Sequence, residues 1–149
     1  MTKKYELETA LKDAMRAQDS MRKNTLRLVL SAIKEAEVLK KDELDDAAVL
    51  SILQKEVKSR QESIADAEKA KRDDLIRESR EEIEILEGYL PEAMSDEDLE
   101  AIITEAITES GASTPNEMGN VMKLVLPRVQ GKADGGKVSQ IVRQKLQGE

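Results

Sequence analysis

Neither cysteine nor histidine occurs in this chain, and phenylalanine and tryptophan are also missing, leaving Tyr5 and Tyr89 as the aromatic residues. Each absence excludes a class of chemistry. Without cysteine there is no disulfide, thiolate metal site or cysteine nucleophile, and without histidine the commonest metal ligand and general base is gone. Catalysis would have to rest on carboxylates, Lys, Ser or Thr. Residues 1 to 87 also lack glycine and proline; the seven glycines and three prolines (Pro91, Pro115, Pro127) all lie from Gly88 onward. No apolar run approaches the roughly 18 residues of a membrane span. The opening MTKKYELETALK lacks the apolar centre of a secretory signal, so the expected setting is the cytosol, with no membrane partner.

What is present is charge and aliphatic bulk. Charged residues make up 37% of the 149 and hydrophobic ones 39%, so a core must be built from Leu, Ile, Val, Ala and Met. That palette suits helix packing better than strands dominated by β-branched and aromatic side chains. The net charge of −7 is uneven: residues 118 to 149 hold 6 Lys+Arg against 2 Asp+Glu, while residues 1 to 117 hold 18 against 29. The overall sign argues against non-specific nucleic-acid binding, and no DNA partner is expected; the basic tail alone does not carry that argument.

The fold class expected is all-α. The onset of glycine and proline at Gly88-Tyr89-Leu90-Pro91 predicts a boundary, with an N-terminal helical domain over 1–91 and a small C-terminal three-helix domain over 92–149. Helical spacing of Leu7, Leu11, Ala14 and Met15, and again of Leu26, Val29, Leu30, Ile33 and Ala36, predicts two amphipathic helices separated by Gln18-Asp19-Ser20. Asp45 and Asp46 read as the cap of a long third helix, whose stripe of Leu50, Leu53, Val57, Ile64 and Ala67 is interrupted by Arg60. A fourth stripe, Ile76, Ser79, Ile83, Leu86 and Leu90, faces it and completes a four-helix region containing a long antiparallel hairpin that projects partly into solvent. Arg60 is expected to lay its stem across the seam and reach a carboxylate such as Glu56, Glu62 or one on the facing helix.

In the C-terminal part, Ser95-Asp96-Glu97-Asp98 reads as a capping box and Gly111 as the left-handed stop of the helix it opens. Thr114-Pro115-Asn116-Glu117 is a second start signal, with the Thr114 hydroxyl as cap. Pro127 predicts a kink or tight turn, and Gly131 to Gly136 a loop with Asp134 capping the last helix. That loop follows a helix and lacks both nucleotide-binding glycine spacings, so it reads as a connector. The carboxylate clusters Asp42 to Asp46 and Glu78 to Glu87 read as solvated helix faces; no catalytic residue, metal ligand or cofactor site is assigned. The basic residues Lys123, Arg128, Lys132, Lys137 and Arg143, with Gln140, form a candidate phosphate-contacting face, while Lys145 projects nearer the apolar arc. With no aromatic in this part, stacking on unpaired bases is not expected.

Three stretches there, Met118-Gly119-Asn120-Val121-Met122, Gly131-Lys132-Ala133-Asp134 and Val138-Ser139-Gln140-Ile141-Val142, resemble the YqeY family. So do Leu26-Arg27-Leu28 with Ala32-Ile33-Lys34, Lys58 to Ser63, and Ile83 to Pro91, so the resemblance spans essentially the whole chain. The C-terminal part of that family is similar to the tail domain of GatB, the subunit of the tRNA-dependent amidotransferases that handles charged tRNA. The resemblance implies that Met118, Gly119, Val121, Met122, Gly131, Ala133 and Asp134 form a structural motif and that the basic face meets tRNA. Three functions compete. One is a non-catalytic accessory protein that binds tRNA through the C-terminal domain, and another an interaction module docking a protein partner through the hairpin 46–90. The last, ranked lowest, is a carbon–nitrogen ligase using glutamine as amide donor, for which the chain shows neither glutaminase nucleophile nor nucleotide loop.

Overall fold

The computed structural model of the chain describes residues 2–148. Among them are seven α-helices and one 3₁₀ turn, with no strand. The chain divides into two compact units, residues 1–91 and 92–149.

The first unit holds α1 (Lys3–Arg16), α2 (Ser20–Lys40), α3 (Asp46–Lys69) and α4 (Asp73–Glu87). Local caps set three of the starts. Thr2, Asp19 and Asp45 each accept a hydrogen bond from the backbone N–H three residues on, those of Tyr5, Arg22 and Ala48. The apolar stripes meet in one core of Leu7, Leu26, Val29, Ile33, Val49, Leu53 and Leu86, each at most 1% exposed. Met15, expected in that core, stays 47% exposed because it lies beyond the arc defined by Leu7 and Ala14.

A unit with no glycine before residue 88 must still turn the chain between helices. It does so by placing ordinary side chains in the left-handed region: Gln18 (φ 56°), Lys41 (φ 59°) and Lys71 (φ 55°), one in each interhelical connection. Such a conformation costs an L-residue roughly 1 kcal/mol or more. Lys71→Gly is therefore expected to stabilise the unit by about 0.5 kcal/mol, after allowing for the greater freedom glycine gives the unfolded chain. Urea denaturation measures this; an unchanged or lowered midpoint would mean that Lys71 carries no strain.

A second tie joins three segments. Lys4 Nζ on α1 donates to Glu37 Oε1 on α2 at 2.8 Å, and Glu37 Oε2 accepts the Leu44 N–H at 3.0 Å. The Lys4 bond first, and the Leu44 N–H second, hold the Glu37 carboxyl below the ordinary glutamate range. Because the folded-state value is the depressed one, its contribution is complete above the unfolded value of about 4.3 and is lost as pH falls through the lower folded value. Glu37→Gln should thus melt below wild type near neutrality, with the gap closing below about pH 4. A gap that persists at acid pH would show that ionisation of Glu37 contributes nothing.

The α3–α4 hairpin closes around Arg60, which is 8% exposed. Its Nε donates to Glu82 Oε2 at 2.5 Å across the hairpin, and its Nη1 donates to Glu56 Oε2 at 2.6 Å and to the Glu56 carbonyl at 3.1 Å. Burial disfavours the cation, but the two carboxylates outweigh it and hold the guanidinium pKa above its ordinary value. Of the carboxylates the sequence offered, Glu56 and the facing-helix Glu82 take the role. Beyond Arg60 toward the hairpin tip, Ala67 is the one buried residue among those described. At the other end, Arg22 Nη1 on α2 donates to the Tyr89 hydroxyl at 3.0 Å, tying the segment after α4 to the core.

The second unit contains α5 (Asp96–Ser110), the 3₁₀ turn Pro115–Glu117, α6 (Met118–Val129) and α7 (Gly135–Leu146). Leu99, Ile103, Ala106, Val121, Val125, Val129, Val138 and Val142 form its core. Ser95 caps α5 by accepting the Asp98 N–H at 3.1 Å, and Gly111 ends it at φ 70°.

Three local expectations are corrected here. Thr114 does not cap a helix; instead Glu117 Oε1 reaches back and accepts from the Thr114 hydroxyl and the Ser113 N–H, which closes a 3₁₀ turn. Of the kink or tight turn expected at Pro127, the tight turn does not form: α6 runs on to Val129, because proline in the last turn forfeits only one hydrogen bond to Lys123. Asp134 stands at the N-cap of α7 without a side-chain cap bond, and Gly135 and Gly136 are already helical, so the connector is shorter than Gly131 to Gly136.

Candidate nucleic-acid interface

Four of the five candidate cations of the C-terminal unit stand within two positions of a buried valine. Lys123 lies between the core positions Val121 and Val125, Arg128 precedes Val129, Lys137 precedes Val138 and Arg143 follows Val142. Burying those valines turns the cations outward: Lys123, Arg128, Lys132, Lys137, Gln140 and Arg143 are all exposed, and Lys145 is half-buried. On α7, Lys137, Gln140 and Arg143 follow one another at three-residue spacing along the solvent side.

The electrostatics are less positive than the tail sequence implies. Folding places α5 in the same unit, with six Asp/Glu and no Lys or Arg between Asp96 and Ser110, so residues 92–149 hold 6 Lys+Arg against 10 Asp+Glu, a net −4. Two candidates are already paired with that helix. Arg128 Nη2 donates to Glu109 Oε2 at 2.8 Å, and Lys137 Nζ donates to Asp96 Oδ1. Each pair relieves unfavourable placements: Glu109 sits at the negative end of α5, and Lys137 at the positive end of α7. Lys123, Lys132 and Arg143 make no ion pair among the described residues. Asp96 and Glu109 are the residues a reading of the sequence misses, since their partners lie 41 and 19 positions away.

The Gly131–Asp134 connector turns on itself. Gly131 is at φ 74°, and the N–H groups of Lys132 and Ala133 both donate to the Val129 carbonyl, at 2.8 and 3.2 Å. The Lys132 carbonyl accepts the Met94 N–H at 2.9 Å, fixing the segment that leads into α5. The Lys132 and Ala133 amides are thus used within the turn rather than turned toward an anion. At the start of α7 the Asp134 carboxylate lies beside Gly136, where an added Cβ would meet it at 3.3 Å. Gly119 and Gly135 are exposed, and a Cβ on either would meet nothing within 4 Å, so neither is required by packing within the unit.

Among the described residues no group of three or more carboxylates gathers as a metal site, and no helix is long and apolar enough to cross a membrane. Residues 4–146 match the family described as Yqey-like protein. The chain belongs to the YqeY family. Its relatives include proteins named "Altered inheritance of mitochondria protein 41, mitochondrial". That of Kluyveromyces lactis is 39% identical over 86% of this chain and 67% of its own length. Those of Candida glabrata and Pyrenophora tritici-repentis are 35% and 30% identical, covering 86% and 85% of this chain and 69% and 71% of theirs.

These names correct the cytosolic expectation, since the relatives of this YqeY chain are mitochondrial proteins. The physical reason is that an apolar stretch marks secretory signals alone; mitochondrial leaders are amphipathic and rich in Arg and Ser, and a hydropathy test is blind to them.

Proposed function

We propose that this YqeY protein is a non-catalytic accessory protein that binds tRNA through the exposed face of α6, the Gly131–Asp134 turn and α7. The observation that carries the reading is the set Lys123, Lys132 and Arg143, exposed cations without an ion pair among the described residues. Lys132 lies within one of the three segments that carry the family resemblance, and Lys123 and Arg143 directly follow the other two. Exposed Arg128 and Lys137 stand on the same helices but are held by Glu109 and Asp96, and Gln140 adds a neutral hydrogen-bonding side chain. The exposed Gly119 and Gly135 allow an RNA backbone to approach the helix starts closely. Met118, Val121, Met122, Gly131, Ala133 and Asp134 serve by shaping α6 and the turn that present these cations.

A unit of net −4 attracts polyanions only locally, so the binding is modest and salt-sensitive. Amide transfer belongs to the catalytic domains of the amidotransferases, and this chain contributes contacts rather than chemistry. The relatives are named for mitochondria, so mitochondrial tRNA is tested beside bulk tRNA.

The test is a fluorescence titration of tRNA at low salt with the triple variant Lys123→Glu, Lys132→Glu, Arg143→Glu. Its affinity should fall at least about tenfold, corresponding to roughly 1.4 kcal/mol spread over three phosphate contacts. The charge-matched triple reversal Lys55→Glu, Lys58→Glu, Lys69→Glu on the first unit, all at exposed positions, should leave binding within about twofold. Equal losses in the two variants would mean that net charge, not this face, governs binding. Amide transfer onto misacylated tRNA by the purified chain would overturn the non-catalytic reading.

A further inference from the structure

The first unit carries a feature unconnected with the basic face. Where α2, α3 and α4 meet, a groove of about 500 Å³ opens on the surface. Its apolar contributors are Leu28 from α2 and Leu75 from α4, which remain 58% and 41% exposed. A single exposed leucine is ordinary; two from different helices lining one concavity form a small apolar seat.

Charge supplies the second observation. Three carboxylates, Glu56, Glu78 and Glu82, line the groove against one guanidinium, Arg60, leaving its lining at a net −2. Arg60 is fully engaged with Glu56 and Glu82, each through one oxygen. Glu78 is exposed and makes no ion pair among the described residues. The groove is therefore neutralised in part at Arg60, apolar at Leu28 and Leu75, and anionic at Glu78.

We propose that this groove is a docking site for a basic amphipathic helix of another protein, whose leucine-type side chains seat on Leu28 and Leu75 while a lysine or arginine pairs with Glu78. Charge complementarity selects this occupant. An acidic helix would meet a lining of net −2 with Glu78 unpaired, and a purely apolar one would leave Glu78 facing hydrocarbon. A helix in a groove presents anchors at i, i+3, i+4 and i+7, a spacing that lets one apolar face and a flanking cation engage together. The inference does not rest on tRNA binding, which concerns the other unit.

The experiment uses the full chain labelled with ¹⁵N and two synthetic 18-residue helical peptides. One carries leucines at i, i+3, i+4 and i+7 with lysines elsewhere, and the other replaces each lysine with glutamate. The lysine peptide should shift the amide resonances of Leu28, Leu75, Glu78 and Ser79, and should bind at least about tenfold more tightly than its glutamate counterpart. Leu28→Asp and Glu78→Lys change exposed side chains, so circular dichroism should match wild type, while affinity for the lysine peptide drops about tenfold for the first and several-fold for the second. Equal binding of both peptides would overturn the proposal. So would shifts confined to other residues, or indifference to both substitutions. Sedimentation showing a wild-type dimer that Leu28→Asp dissociates would also overturn it, by making a second copy of the chain the occupant.

Discussion

Arg60→Ala is expected to destabilise the N-terminal unit by about 3 kcal/mol, the low end of the range for removing one partner of a buried ion pair. The low end applies because the stranded side chains are not sealed from water: Glu56 and Glu82 retain 26% and 19% side-chain exposure. Three effects add. Two neighbouring carboxylates lose the cation between them, the Glu56 carbonyl loses a donor, and the aliphatic stem that covers the hairpin seam is removed. Arg60→Met in a Glu56→Gln, Glu82→Gln background should recover most of the loss, because no unpaired charge is then left at the seam. Chemical denaturation of wild type, Arg60→Ala and the triple variant checks this. A loss under about 1 kcal/mol for Arg60→Ala would place the pair among ordinary surface bridges.

Ile103→Ala is the second large effect. Ile103 is 0% exposed in the C-terminal core, whose fully buried members are mostly valines, with Met94, Met118 and Met122 only partly buried against them. Deleting three carbons from such a site costs about 3 to 4 kcal/mol, the transfer term plus the cavity left behind. A unit of 58 residues has little reserve against that. Amide exchange of Val121, Val125 and Val142 should therefore accelerate toward the unfolded limit in the variant. Protection retained at the wild-type level would mean that the core collapses around the gap.

The comparison of these two sites shows where sequence reading succeeds. Ile103 was legible, as were the caps at Asp45 and Ser95 and the stop at Gly111, because each follows from spacing within one turn or one helix stripe. Arg60 was legible as a polar residue in an apolar seam, but choosing Glu82 among its possible partners required the register of a hairpin, which depends on packing of both helices. The three left-handed residues Gln18, Lys41 and Lys71 were not legible at all, since none is the glycine or asparagine that usually signals such a turn; tertiary packing imposes the strain. The tight turn offered at Pro127 does not form for the converse reason: a strong local rule applies weakly where only two helical residues remain.

The candidate interface was legible in its cations and misread in its field. Counting charge along the chain separated residues 118 to 149 from α5, whereas folding joins them and lets Asp96 and Glu109 claim Lys137 and Arg128. Lys123, Lys132 and Arg143 emerge as the cations to watch from structure alone. The groove lined by Leu28, Leu75 and Glu78 could not be read from periodicity, because its lining comes from three helices and its apolar members sit outside the core stripes.

The central claim, tRNA binding through α6, the Gly131–Asp134 turn and α7, is tested most directly by titrating tRNA with the wild-type chain across a series of salt concentrations. Three phosphate contacts predict that log affinity falls against log salt with a slope of roughly −2 to −3, and that the slope approaches zero in the Lys123→Glu, Lys132→Glu, Arg143→Glu variant. No detectable binding at the lowest salt, or a slope that the variant leaves unchanged, would contradict it.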